Sequence, residues 1–529
     1  MAGEAALPTR VAPRAGRIAE EITVISIAGL ERPLQLLLTT LQGLVNRRQP
    51  RLYYLSGPDH EDNPEYLWLR WMERKGHRLR WVDDWRKVFE ECRAAARGAV
   101  VHDPGLDATA YAATTLAGLE SLVAASPELA ETLRLPIVRD LRGRWEYDFE
   151  VMEWALRELW PRCRHDIAFL CVHDPYNVRR GEHPHACEAD YIVAHRLFAL
   201  RARGSVHGKP PFARFDGRDA AVTEAMLRAM EPNRLILGHC AGCLGEHMSI
   251  NVASRHAKFT TYAYNYNLSL HSAWRPAPRL KHKPIRFRPL ERKVYLTFIY
   301  SDGDNLALLP ATTRHWRDPA RGRLPLGYNL APSILDLAPS LAGYFADEIG
   351  ESEYLVAACS GMGYTDPEYY GREVPRRDAV YREFLELTGR YMARLDMREI
   401  WPIKATRETN RRYARAIPGL NAIFSNFTPL PSYRGANYFE GDVAVFNALV
   451  GPWGEPEQEG QAGDERITQP GWIVRTIRRK TPKQRPAFMF AGTLCAPAGL
   501  LEVQRALGDE YVIVRPDEFV HLFRQASGR

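Results

Sequence analysis

Short apolar runs alternate with longer amphipathic ones from residue 21 to the end of the chain, and this pattern predicts a mixed α/β protein. Glu21 to Ile27 and Arg51 to Leu55 read as strands on either side of the helical segment Leu34 to Val45, a β-α-β opening. The strand Ala99 to His102 leads into the alanine-rich segment Ala108 to Ala125. The helical pattern Phe149 to Leu159 precedes the strand Ile167 to Val172. Leu235 to Gly238 and the polar-aromatic run Tyr262 to Asn267 close this half.

From Lys293 the alternation becomes regular. Eight runs rich in β-branched and aromatic residues are predicted strands: Val294 to Tyr300, Leu326 to Leu330, Tyr354 to Ala358, Glu399 to Ile403, Ala422 to Ser425, Val443 to Leu449, Ala487 to Ala491 and Tyr511 to Val514. Helices are predicted between most of them, at Ser333 to Phe345, Ala379 to Leu395, Tyr413 to Ala416, Trp472 to Arg479 and Ala498 to Leu507. Eight β/α repeats in roughly 235 residues suit a (β/α)8-type barrel, which takes about 250. An open doubly wound sheet has the same element order. The expected division is a disordered tail over 1–20, small α/β subdomains over 21–95, 96–165 and 166–274, a connector over 275–292, and the C-terminal barrel over 293–529.

A chain of 529 residues exceeds what one core usually serves, and 45% apolar with 26% charged residues is a globular composition. Its 71 basic residues against 64 acidic ones would suggest a polyanionic partner, but the excess is local. Arg275 to Lys293 holds eight basic residues and one acidic residue, Glu291, which matches the whole net charge of +7. That stretch also holds Pro276, Pro278, Pro284 and Pro289, so it reads as an extended, solvated connector, and no nucleic-acid partner is expected. Even the stretch Ile25 to Val45 is broken by Glu31, Arg32 and Pro33, so no membrane span is expected. The first twenty residues lack the apolar segment of a secretory leader, which points to the cytoplasm, or to secretion if the start is misassigned.

Most of the eight cysteines sit singly among apolar neighbours, as buried thiols do. Cys240 and Cys243 form one CxxC without the second pair of a zinc site, and His173, Asp174, His183, His185 and Cys187 do not follow zinc spacing. The second group reads as a solvated polar loop.

In a barrel the site lies where the strands end and the β/α loops begin. The first strand runs into Ser301, Asp302, Gly303, Asp304 and Asn305, where a glycine between two carboxylates allows a tight turn that brings both toward one ligand or cation. The alternative role for either aspartate is to cap the next helix. The third strand is followed by Cys359, Ser360, Gly361, Met362, Gly363, Tyr364, Thr365, Asp366 and Pro367. Glycines two apart admit a ligand to the backbone and Tyr364 offers a ring with a polar tip, although a tight turn around a packed tyrosine fits the same residues. Lys404, Ser425, Asn426, Thr493 and Arg515 are further polar residues near strand ends, and Trp453 could present a flat face to a sugar. For Lys404 and Arg515 the competing reading is a solvated loop charge.

The SDGDN turn, the GMGYTDP loop and the Trp316 to Pro325 stretch leading into PLGYNLAP together resemble the GxGYxYP family, described as putative glycoside hydrolases. LQGLVNR (Leu41 to Arg47), the VVHDP stretch with its alanine-rich helix, and the NLS turn from Asn267 extend the resemblance over nearly the whole chain. The family has tyrosine where this chain has Asp366, which is either a lost stacking ring or a gained carboxylate. The resemblance implies a barrel-like C-terminal domain behind several small ones, acting on carbohydrate. Glycoside hydrolysis needs two carboxyl groups about 5 to 5.5 Å apart for retention or about 6.5 to 9.5 Å for inversion. Asp302 and Asp304 are the expected catalytic residues, and because they share one loop a partner is expected on another: Asp366, Glu368, Glu440, Asp442, Glu455 or Asp517. Ser301, Asn305, Gly361, Gly363, Tyr364, Asp366, Lys404, Asn426 and Trp453 are the expected substrate-binding residues. Two other functions fit. One is a metal-dependent carbohydrate esterase with a divalent cation at Asp302 and Asp304 and His315 as the nearest histidine. The other is a non-catalytic carbohydrate-binding protein. No cofactor beyond such a cation is expected, and the oligomeric state is not fixed by sequence.

Overall fold

The computed structural model describes residues 10–173, 186–203, 217–240, 250–285, 287–300, 305–403, 405–425, 436–450 and 468–529. They form two compact units. One takes the chain up to Pro278 with Ser333–Tyr344 and Gly371–Pro375; the other takes Arg279–Pro332, Phe345–Tyr370 and Arg376–Arg529.

The first unit carries three small parallel sheets. Strands β1 (Glu21–Ser26), β2 (Leu52–Leu55) and β3 (Arg78–Trp81) order as β2-β1-β3. β4 (Ala99–Val101), β5 (Val123–Ala125) and β6 (Ile137–Asp140) order as β5-β4-β6. β7 (Ile167–His173), β8 (Ala199–Arg203), β9 (Arg234–Cys240) and β10 (Lys258–Tyr262) order as β10-β9-β7-β8. The helix Arg32–Arg48 carries Pro33, whose fixed φ suits a first turn, as its second residue and ends in Arg47 and Arg48, basic residues near the negative end of its dipole. Every residue from Leu36 to Asn46 is buried. A Cβ on Gly43 would lie 2.5 Å from the carbonyl oxygen of Asp190 and 2.7 Å from Cβ of Val193, so this glycine lets the helix touch the helix Ala189–His195 backbone to backbone.

The expected disordered tail needs correction for its described part. Val11, Ala12 and Ala15 are buried, the Val11 amide donates to Asp336 Oδ2 at 2.9 Å, and Arg14 pairs with Asp336 Oδ1 at 3.0 Å. A few apolar side chains and one buried ion pair are enough to fix a segment too short to show periodicity. The segment from Ser333 is fixed to the same unit by Thr261 and Ser333, whose hydroxyls lie 3.0 Å apart, and by His271 Nδ1 and Ser340 Oγ at 2.7 Å.

The second unit is one curled sheet of β11 (Val294–Tyr300), β12 (Leu326–Leu330), β13 (Glu353–Ala357), β14 (Glu399–Ile400), β15 (Ala422–Ser425), β16 (Tyr438–Glu440), β17 (Val443–Val450), β18 (Ala487–Thr493) and β19 (Tyr511–Ile513). The order is β12-β13-β14-β15-β17-β18-β11-β19, all parallel, with β16 antiparallel beside β17. The sheet curls far enough for β12 to meet β11 again, through Ile299↔Gly327 and Tyr300↔Tyr328. β19 pairs with Val294 to Leu296 of β11. Because β18 runs along the whole other edge of β11, β19 and β12 share one edge, at its amino and carboxyl halves respectively. This differs from an even eightfold repeat; the fold is mixed α/β, with several small parallel sheets and a curled C-terminal sheet.

Phe424, Phe446 and Phe488 from neighbouring strands meet Phe519 of the last helix, Pro516–Ala526, at ring distances of 6.4, 4.8 and 5.6 Å. Arg524 of that helix donates to the carbonyls of Asn421 and Asp442, the residues just before β15 and β17. The last helix therefore covers amino ends of strands, and the carboxyl ends are left to the loops. Among the described residues no helix is long and apolar enough to cross a membrane.

Candidate functional site

Of the residues expected at the carboxyl ends, Ser301, Asp302, Asp304, Lys404, Asn426 and Trp453 lie outside the described residues, as does Glu455. The loop after β13 is described. Ser360 has a left-handed backbone (φ 74), its amide donates to the Trp401 carbonyl at 3.2 Å, and its Oγ accepts from the Ile403 amide at 3.1 Å. The Tyr413 hydroxyl donates to the Ser360 carbonyl at 2.7 Å. Gly361 follows at φ 132, where a Cβ would meet Thr388 Oγ1 at 2.7 Å, so glycine is required by both conformation and space. The loop is thus sewn to the segment after β14. Tyr364 is buried and serves as a packed ring, not an open platform.

Asp366, where the family pattern has tyrosine, is fully buried. Its Oδ1 accepts from the Glu368 amide at 3.1 Å and its carbonyl accepts from the amides of Tyr369 and Tyr370. The carboxylate holds a turn here. Glu368, two residues on, is half-buried; its Oε1 accepts from the Thr406 hydroxyl at 2.7 Å, and Thr406 also caps the helix Arg407–Ala416 that follows β14. Neutral polar groups lie at or just beyond the carboxyl ends of other strands. Ser425 Oγ accepts from Asn410 Nδ2 at 3.3 Å, Thr493 Oγ1 accepts from the Cys495 amide at 3.0 Å, and Asn305 is buried.

The other proposed carboxylate partners lie at the opposite end. Glu440 sits in register with Val443, the first residue of β17, and pairs with Arg411 at 3.1 Å; Asp442 also precedes β17. Asp517 forms a forked pair with Arg515 at 3.0 and 2.6 Å, and Arg515 in turn donates to the carbonyls of Lys283 and Glu351, before β13 begins. Arg515 is therefore a buried structural charge at the amino ends, where a solvated loop charge was the competing reading. A seven-residue strand separates its two ends by roughly 20 Å, well beyond the spacing any bond-flanking pair uses. A cleft of about 610 Å³ lined by Arg288, Arg321, Glu353, Arg515 and Glu518 also lies at this end. Arg321 pairs with Glu353 at 3.0 Å and Arg288 with Glu518 at 2.5 Å, so its charges largely answer one another.

His315, the histidine of the metal reading, lies tilted against Tyr300 with ring centres 4.0 Å apart, and burial lowers its pKa to about 4. Among the described residues no three His, Cys, Asp or Glu side chains converge on a common point. Cys187 is buried, unlike the solvated loop expected around it; residues 174–185 and 241–249 lie outside the described residues.

The N-terminal motifs of the resemblance build scaffold. Gln42 Nε2 donates to Asn267 Oδ1 at 2.6 Å, Asn46 Nδ2 donates to Ser269 Oγ at 2.9 Å, and Arg47 donates to the carbonyls of Gly118, Val193 and Ala194. LQGLVNR and the NLS turn are thus two halves of one joint. Asp103 of VVHDP accepts from the amides of Gly105 at 2.9 Å and Gly143 at 3.0 Å. Thr406 was not singled out from sequence, although the TRET sequence carries a helix-start pattern that could have marked it.

Residues 292–524 match the GxGYxYP putative glycoside hydrolase C-terminal domain, residues 96–163 the GxGYxYP_N second domain, and residues 21–85 the GxGYxYP_N first domain. No curated protein matches the chain. The crystal structure of a putative hydrolase from Bacteroides thetaiotaomicron VPI-5482 is similar with a TM-score of 0.77 at 21% identity, covering 98% of this chain and 97% of that one. At that identity the likeness is one of fold.

Proposed function

Because the chain belongs to the GxGYxYP family, we propose that it is a glycoside hydrolase whose curled sheet works as a barrel-type scaffold with the site at its carboxyl ends. The observation that carries this reading is the sorting of carboxylates. Of the candidate partners for Asp302 and Asp304, Glu368 is the described one that is half-buried on a carboxyl-end loop, while Asp366 is committed to a turn and Glu440, Asp442 and Asp517 lie at the amino ends. One of the two aspartates and Glu368 divide the roles. In the retaining form one carboxylate attacks the anomeric carbon while the other protonates the leaving oxygen; in the inverting form one activates water instead. The neutral hydroxyl and amide groups of Ser425, Thr493 and Asn305 suit a ligand that is polar and uncharged.

The test is reducing-sugar release from a panel of oligosaccharides by the full chain and by Asp302→Asn, Asp304→Asn and Glu368→Gln. Turnover is expected to fall by about 10³-fold in Glu368→Gln and in at least one aspartate variant, with the melting temperature unchanged. Full activity in both aspartate variants, or no cleavage of any saccharide by the unaltered chain, would overturn the proposal.

A further inference from the structure

Asn305 opens the short helical turn Asn305–Leu308, five residues past the end of β11, and that turn packs beside β12. Its backbone is left-handed (φ 52) and the residue is only 4% exposed. Neither Oδ1 nor Nδ2 finds a hydrogen-bond partner. Most buried polar groups in native proteins are satisfied, and a doubly unmet amide away from water destabilises the free protein. Such a group persists where something other than stability uses it, and the carboxyl ends of parallel strands are where α/β folds bind ligands.

We infer that Asn305 is a specificity-determining residue that reads a pair of adjacent hydroxyl groups on the bound saccharide. The inference rests on the saccharide reading above and narrows it to sugars with a free vicinal diol at the contacted position. An amide offers one donor and one acceptor side by side. A carboxylate or phosphate on the ligand would satisfy Nδ2 alone, and a cation would satisfy Oδ1 alone. A vicinal diol answers both, because one hydroxyl oxygen accepts from Nδ2 while the neighbouring hydroxyl donates to Oδ1.

Asn305→Leu replaces the amide by an apolar group of nearly the same shape. The experiment is differential scanning fluorimetry of the full chain and this variant, alone and with methyl hexopyranosides and their monodeoxy counterparts, beside turnover of the matching 4-nitrophenyl glycosides. Without sugar, Asn305→Leu is expected to melt within about 4 °C of the unaltered chain, because relief of the buried unmet group and the cost of holding leucine in the left-handed region oppose one another. A hexopyranoside should raise the melting temperature of the unaltered chain. That shift should disappear in the variant, and also when the sugar lacks one hydroxyl of the pair. A variant that keeps the full sugar-induced shift overturns the assignment. Failure of this inference and failure of the hydrolase reading are separable. Sugar-induced shifts that depend on Asn305 without turnover sink the hydrolase and leave Asn305. Turnover with unchanged sugar preference in Asn305→Leu sinks Asn305 and leaves the hydrolase. Neither shift nor turnover sinks both.

Discussion

Replacing Asn267 by alanine removes the centre of the joint between LQGLVNR and the NLS turn. Asn267 is fully buried in a left-handed conformation (φ 66). Its Oδ1 accepts from the Tyr54 amide at 2.7 Å and from Gln42 Nε2, and its Nδ2 donates to the Tyr54 carbonyl at 2.8 Å. Both Tyr54 groups belong to the edge of β2 that faces away from β1, so the side chain acts there in place of a further strand. In Asn267→Ala the Tyr54 N–H and C=O lose their partners, at about 1 to 3 kcal/mol each, while Gln42 keeps its bond to the Leu52 carbonyl. Holding alanine in the left-handed region adds about 1 to 2 kcal/mol. The expected loss is therefore roughly 3 to 8 kcal/mol, a large part of the stability of a typical domain. Urea unfolding measures the sum, and amide hydrogen exchange at Tyr54 measures the local part, which should lose its protection. Asn267→Gly restores the backbone freedom but not the bonds, so it should recover only the smaller share. An Asn267→Ala protein within about 1 kcal/mol of the original, or one whose Tyr54 amide stays protected, would refute the reasoning.

Two further outcomes follow from packing and burial. Alanine in place of a mid-helix glycine ordinarily gains about 1 kcal/mol, but at Gly43 the new methyl meets Asp190 and Val193, so Gly43→Ala should lose about 1 to 3 kcal/mol in urea unfolding; a gain would show that the two helices are not in contact there. Burial pushes Glu399 up to about 8 from 4.5, and the Tyr354 hydroxyl donates to its Oε2 at 2.5 Å. The native chain keeps a proton that the unfolded chain releases above pH 4.5, so this group's contribution is full below pH 4.5 and is lost as pH rises toward about 8. In Glu399→Gln the decline of stability across that window should be shallower by up to about 1.4 kcal/mol per pH unit, read from unfolding midpoints, and parallel profiles would rule this out.

What was legible in the sequence follows what local chemistry encodes. Val294 to Tyr300, Leu326 to Leu330 and Ala422 to Ser425 were bounded to the residue because each is a run buried from end to end. The run from Glu399 pairs as a strand only through Ile400, because the Trp401 carbonyl and the Ile403 amide bond to Ser360 of the preceding loop, 41 and 43 residues earlier. β16 was missed because three half-buried residues show no period. The loops after β11 and β13 could be named as site-bearing, since a strand followed by Gly and Asp is a local signal. Which carboxylates share an end with them could not be, because that depends on strand direction and pairing. Glu440 follows a predicted gap and precedes a predicted strand, yet a hairpin turn puts it at the amino ends, and Asp517 follows a strand that pairs only along the amino half of β11.

The same distinction explains why a family motif need not mark a site. Gln42 and Asn267 are 225 residues apart, and each is an unremarkable polar residue until the fold brings them within 2.6 Å inside a buried joint. Once buried, neither can change alone without removing a buried hydrogen bond that the other makes, which constrains both regardless of any ligand. Gly361, Ser360 and Asp366 are held by the same kind of internal demand, a left-handed turn and a satisfied amide, although they lie on a carboxyl-end loop. Asn305 differs in that it is buried too, yet neither polar atom of its side chain finds an internal partner. A motif residue whose amide is used within the fold, as that of Asn267 is, explains the fold; one with neither side-chain polar atom used is where a ligand should be sought.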